Sequence, residues 1–253
     1  MTRSFLFSLC LFLAVATSLS AQAVQGDLRF GFQLSPTFSS MNTDNNQING
    51  DGTNLGLKLG LMSEFYFRDN YSFSTGLNFH LNAGGTLFYE DTFEDVNIWD
   101  EAVDDALPDM DTMNFAGQTS FKYNLQYVEI PFALTLRTRE FGYLRYFVRP
   151  GFNVGILTQS RGNVKGDDRL DDEEEFDIGS ATNAINLSWG ISAGVEYSVS
   201  SNTALIGGIG FQSGFADITK DNGTSVTRSG RSPEEDDSRG KLNSVVITLG
   251  VLF

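Results

Sequence analysis

Nine ionisable side chains recur at alternate positions inside otherwise apolar stretches: Arg29, Lys58, Glu64, His80, Glu129, Arg137, Arg145, Arg149 and Glu196. Five are arginine or lysine, three are carboxylates, and one is the only histidine of the chain. A mixed-sign set gathered in one interior has two chemistries open to it. Around an open channel it would select solutes; in a closed interior it would form an ionic plug, each charge paired because an uncompensated buried charge is costly. Replacing Arg149 with leucine would then cost about 3–5 kcal/mol by leaving carboxylates unpaired. His80, between Asn78 and Asn82, has the chemistry of a general base. Hydrolysis would need a nucleophile and an acid beside it, so an enzyme acting on lipid or peptide is the remote reading.

A second set of charges is purely acidic. Residues 89–120 carry Glu90, Asp91, Glu94, Asp95, Asp100, Glu101, Asp104, Asp105, Asp109 and Asp111 with no lysine or arginine. Asp171 to Glu175 and Glu234 to Asp237 repeat the pattern. Oxygen clusters of this kind suit hard divalent cations, yet no EF-hand spacing occurs. A solvated, mutually repelling surface is therefore the expectation, with weak divalent bridging to anionic lipid head-groups as the alternative; the metal is unknown and no cofactor is implied. Phe93, Trp99 and Leu107 lie within the first acidic segment and would offer an apolar contact surface to an envelope partner once the charge is neutralised.

Strands must position the first set, because the charges share their segments with a two-residue apolar period. Val245, Ile247, Leu249, Val251 and Phe253 share one face of the last segment, Leu242 to Phe253, and mostly small residues share the other. Leu28 to Leu34, Leu55 to Phe67, Tyr71 to Leu81, Leu144 to Ile156, Ile185 to Tyr197 and Thr203 to Ile218 alternate in the same way. In Phe121 to Thr138 the apolar residues are odd up to Tyr127 and even from Val128. That switch reads as a β-bulge, with Pro131 nearby as a source of irregularity.

Eight segments result, and their connections alternate. Residues 68–70, 139–142 and 199–202 are tight turns; 39–53, 89–120, 159–183 and 219–241 are long and polar. The fold class this predicts is all-β: an eight-stranded antiparallel up-and-down transmembrane barrel with long acidic extracellular loops. Eight strands leave room inside for small residues but not for all the large ones, so the apolar face points outward, opposite to a soluble calyx. A terminal strand in hydrocarbon cannot stay an open edge and pairs with the first.

The start of the chain reads as a signal peptide over 1–23, with Arg3, an apolar run from Phe5 to Ala16, and cleavage after residue 21 or 23. The barrel domain is 24–253, with both termini periplasmic and the barrel in the cell outer membrane among its lipids. Cys10 leaves with the leader, which excludes disulfides and thiolate metal sites. With 17 basic and 32 acidic residues the net charge is −15, which argues against nucleic-acid binding.

The stretches "LRFGFQLSPTFS", "LQYVEIPFALTLR" with Tyr127, Glu129, Ile130 and Pro131, "FVRPGFNVG" and the terminal "VVITLGVLF" resemble the outer-membrane β-barrel domain proteins of Bacteroidetes, often labelled PorT-like. The resemblance covers the mature chain. It implies that terminal Phe253 is a signal for the barrel-assembly machinery and, for some members, an accessory part in secretion. The function expected is structural or interactive, with a narrow passive porin as the alternative.

Overall fold

The computed structural model describes residues 28–99, 102, 114–167, 175–200, 202–220 and 224–253. The leader, Leu107 and the acidic run 171–174 lie outside the described residues. Among the described residues twelve strands form: β1 (Leu28–Asn42), β2 (Ile48–Arg68), β3 (Tyr71–Tyr89), β4 (Phe93–Asn97), β5 (Ser120–Arg137), β6 (Leu144–Lys165), β7 (Phe176–Asp177), β8 (Ile185–Ser198), β9 (Ala204–Gly214), β10 (Ser225–Arg228), β11 (Glu234–Glu235) and β12 (Lys241–Leu252).

Eight of them, β1, β2, β3, β5, β6, β8, β9 and β12, pair antiparallel with their neighbours in that order, and β12 returns to β1 to close the ring. Phe253 completes the seam: its N–H donates to the Phe30 carbonyl at 2.8 Å and its carbonyl accepts from the Phe30 N–H at 3.0 Å. Closure leaves the ring no open edge, which hydrocarbon requires. Following paired residues around the ring, from Phe30 through Ser63, Thr75, Phe132, Phe152, Trp189, Ser213 and Asn243, leads back to Ser40, ten residues along β1. With eight strands that stagger tilts them by about 40°, a geometry whose interior is just wide enough for side chains to fill.

The period-two pattern acts as expected through the middle of every ring strand. Phe30, Phe32, Leu61, Phe65, Phe79, Phe152, Trp189, Ile209 and Leu249 point away from the axis and are exposed, Phe152 at 64%. Such a surface is unstable in water and stable against lipid. Aromatic rings gather at the tight-turn end, where Phe67 stacks with Tyr71 at 6.2 Å and Tyr143 lies 6.2 Å from Tyr197, as in the interfacial belts of membrane proteins.

At the other end the strands are longer than expected. Crossing takes roughly 9–11 residues, whereas β2 has 21 and β6 has 22. The segment 39–53, expected as a loop, is mostly strand: Ser39 pairs Asn54, Met41 pairs Leu242 and Ile48 pairs Tyr89. Backbone pairing overrides its Asn, Asp and Gly content, and Gly52 (φ 119°) absorbs the irregularity between Gly50 and Thr53.

The bulge expected at Tyr127–Val128 is not in β5. The odd positions stay on the inner face throughout, buried at Phe121, Tyr123, Leu125, Tyr127, Glu129, Thr135 and Arg137 and half-buried at Pro131 and Ala133. The phase changes occur on the two neighbouring strands at the same height. β3 shifts register between His80 and Ala83, where Asn82 takes φ 54°, and β6 carries the extra residue between Leu157 and Gln159. What changes along β5 is the surroundings. Below Tyr127 the apolar face meets lipid; above it the strands rise beyond the apolar belt and their apolar face turns inward on a packed core.

That core closes the long-loop end. Met41, Ile48, Leu87, Tyr89, Phe121, Tyr123 and Val164 from the ring pack with Phe93, Val96, Ile98, Trp99, Phe115, Phe176, Ile178, Ile218 and Val226 from the connections. A small sheet of β4, β10 and β11 lies over it.

Candidate functional site

The lumen is built in three levels. Nearest the tight turns, a chain of alternating charges crosses the bore. Arg29 Nη1 donates to Glu196 Oε1 at 2.8 Å, and Glu196 Oε2 accepts from Arg137 Nε at 2.8 Å. Arg137 Nη2 donates to Glu64 Oε2, and Glu64 Oε1 accepts from Arg149 Nη2 at 2.7 Å. Ser72 and Ser74 donate to Glu64, Arg137 Nη1 donates to Ser72, and Arg149 Nε donates to Thr135 at 2.8 Å. These partners satisfy the groups that burial would otherwise penalise. Met62, Phe147, Ile206 and Leu252 fill the space beside the chain. Phe147 fits because it faces glycine: a Cβ on Gly194 would come 2.7 Å from its ring.

The middle level sits where the apolar belt crosses β2, β3 and β5. Lys58 Nζ reaches Glu129 Oε2 at 2.7 Å and Gln212 Oε1 at 2.6 Å. His80 Nδ1 lies 3.0 Å from Glu129 Oε1, and its Nε2 lies 3.1 Å from Thr37 Oγ1. Hydroxyl, imidazole and carboxylate in that order have the connectivity of an activated nucleophile. Thr37 and His80 are 0% and 1% exposed, however, so the Thr37 oxygen is closed off from solvent in this structure. Between this level and the charge chain lies a cavity of about 120 Å³ that touches Lys58, Glu64, Arg149, Ser35, Asn153 and Gln212.

The third level is the aromatic core at the long-loop end. Trp99 is its centre, 1% exposed, with its ring edge-on to Phe121 and Tyr123, each at 5.1 Å, and to Phe176 at 5.6 Å. Its indole N–H donates to the Tyr123 hydroxyl at 3.1 Å. Gly162 makes the floor: a Cβ there would come 2.5 Å from the Trp99 ring, closer than any side chain tolerates.

Seven of the eight residues expected in the interior network, Arg29, Lys58, Glu64, Glu129, Arg137, Arg149 and Glu196, do point into the lumen and bond to one another in two groups. Arg145 does not join them. It sits at the turn rim, about a third exposed, and pairs with Glu140 at 2.8 Å, because water and a local carboxylate are nearer than the interior charges. The role expected of Arg149 also changes: if Arg149 is removed Glu64 keeps Arg137, so the residue that holds two arginines together is Glu64. Phe93 and Trp99, expected as a contact surface, are buried in the cap, since an aromatic ring gains more by packing there than by facing water. Leu107 lies outside the described residues. Among the described residues no group of three or more His, Cys, Asp or Glu is placed to hold a metal. Phe253 lies at the closing seam, its ring 5.8 Å from Phe32.

Sequence reasoning missed Phe147, Thr37 and the serines around Glu64, whose inward positions on the alternating pattern were the available signal. It also passed over Gly190-Ile191-Ser192-Ala193-Gly194, which reads G-x-S-x-G. That motif needs a sharp strand-to-helix turn to expose its serine; here it runs straight through β8 with Ser192 facing the lumen cavity.

A closed antiparallel ring with an apolar outer face and a charged, filled lumen defines a transmembrane β-barrel. The chain belongs to the outer membrane protein beta-barrel domain family, which matches residues 20–220, and that membership supports an outer-membrane location. No curated protein matches it. Among solved structures it is similar to Neisserial surface protein A (11% identity, 88% of this chain and 95% of that chain, TM-score 0.42). Ail, the attachment invasion locus protein of Yersinia pestis, is similar at 12% identity over 90% of this chain and 99% of that chain, TM-score 0.38. OprG from Pseudomonas aeruginosa is similar at 12% identity over 90% and 96%, TM-score 0.34.

Proposed function

We propose that this protein is a sealed barrel with a structural or interaction role, not a conduit. The observation that carries this reading is the filling of the lumen at three heights by different chemistry: the arginine–glutamate chain, the Lys58–Glu129–His80 group and the Trp99 core. The tight turns and both ends of the described ring, Leu28 and Phe253, share one rim, which is the periplasmic one in this reading; the cap then faces outward. Phe253, at the closing strand, is the assembly signal, and an accessory part in secretion, as in the PorT-like proteins the sequence resembles, fits a barrel that passes nothing itself.

The surface available to an envelope partner is the acidic exterior of the cap, because its aromatics are used internally. Glu94, Asp95 and Glu235 are exposed there. Photo-crosslinkers at these positions are expected to give a defined protein adduct in native envelopes, and a crosslinker at Tyr143 on the turn rim is expected to lack it. If the cap positions give no adduct, or the same adducts as Tyr143, the cap is a passive shield. Divalent ions bridging these carboxylates to the partner belong to the same proposal, and adduct yield should then fall with chelator.

A further inference from the structure

The charges in the lumen do not balance. Among the described side chains that point into it at the level of the apolar belt, Arg29, Lys58, Arg137 and Arg149 face only Glu64, Glu129 and Glu196. Four fixed cations stand against three carboxylates, and His80, which shares Glu129 with Lys58, adds further positive charge when protonated. The surplus belongs to the turn-end chain, which begins and ends in arginine. Arg149 is the end inside the barrel, and it borders the cavity of about 120 Å³. An uncompensated cation at this depth is costly, and water supplies only part of what a counter-charge would.

The cavity also holds polar groups without partners. The Ser35 hydroxyl and the Asn153 Oδ1 are buried, the two residues being 1% and 5% exposed, and neither atom has a hydrogen-bond partner. Both residues line the cavity with Lys58 and Arg149. Ser35 can donate, and exchanging the Asn153 amide oxygen and nitrogen turns its N–H₂ to the same space. Gly151, Gly190 and Gly210 in the wall leave the room open. The space has room for a small ion together with waters that complete its shell.

We propose that this cavity is a binding site for one small monovalent anion, a halide or a short carboxylate, held at Arg149 and Lys58 with the Ser35 hydroxyl donating to it. The carboxylate of Glu64 also borders the cavity, but it is shared between two arginines. A single negative charge closes the balance, whereas a dianion would reverse it. This goes beyond the sealed-barrel reading, which is tested by conductance and crosslinking and stands or falls separately.

The test uses the full folded protein in non-ionic detergent, with sodium gluconate replaced stepwise by sodium chloride, or by sodium formate, at fixed ionic strength. Gluconate serves as the bulky, weakly coordinating reference anion. The unfolding midpoint of the wild type is expected to rise with the logarithm of chloride or formate concentration, as binding to the native state alone requires. The steeper of the two responses assigns the source, inorganic or carboxylate. Arg149→Gln, which equalises the charges, is expected to lose the dependence, and Ser35→Ala to reduce it. Crystals grown with bromide are expected to show an anomalous peak at Arg149 and give a reading if Arg149→Gln fails to fold. Equal wild-type midpoints in all three salts, an undiminished dependence in Arg149→Gln, or bromide crystals without that peak would overturn the proposal.

Discussion

Replacing Glu64 with leucine is expected to cost the barrel about 3–5 kcal/mol, the loss typical of breaking a buried ion pair from one side. Among the described residues Glu64 is the only carboxylate holding Arg149, and with Glu196 it is one of two holding Arg137. Without it, three arginines share Glu196, and Ser72 and Ser74 lose their acceptor. Arg149→Leu should cost distinctly less, because the remaining chain of two arginines and two carboxylates is balanced. The double variant Glu64→Gln with Arg149→Gln should then be more stable than Glu64→Gln alone, a coupling that a double-mutant cycle isolates. Denaturant unfolding in lipid vesicles gives the order. Equal losses for Glu64→Leu and Arg149→Leu, or no recovery in the double variant, would mean that packing and not charge balance fixes this level.

Trp99→Ala is the second large effect, about 3–5 kcal/mol for a buried large-to-small change. The loss is expected to be local. Trp99 touches Phe121, Tyr123 and Phe176 beyond the apolar belt, while the ring below is held by its own closed ladders. Cleavage by added protease within 89–120 should therefore accelerate, while heat-dependent gel migration, the sign of an intact ring, stays as in the parent. Unchanged resistance would show that the cap does not depend on its central ring. Global unfolding would show that cap and ring form one cooperative unit.

The ring was readable from the amino acids because lipid imposes one rule on every strand. Leu55 to Phe67 and Ile185 to Tyr197 each display outward apolar and inward small or charged positions, and the closed ring follows that assignment. The interior ion pairs were readable to the same depth, since a charge on an inward position of eight strands has few places to go. Arg145 escaped because the parity rule carries no height: it is on the correct face but at the rim, beside Glu140. The cap escaped for a related reason. Phe121, Tyr123, Leu125 and Tyr127 alternate as cleanly as Val128 to Leu136, but periodicity does not say which solvent a face meets. Apolar residues on opposite parities therefore looked like a bulge, when the strand had passed from lipid into water. Segment length already said that strands must project beyond the bilayer, and the 18 residues of β5 exceed one crossing, but length alone does not say where along the strand the surroundings change.

The sealed lumen is tested most directly by recording purified protein in planar bilayers at both polarities. With the arginine–glutamate chain, the Lys58–Glu129 pair and the Trp99 core in place, the expected result is a silent bilayer after confirmed insertion. Stable unitary channels on the nanosiemens scale would contradict the account, because current of that size requires a continuous water column through levels that the structure fills with side chains.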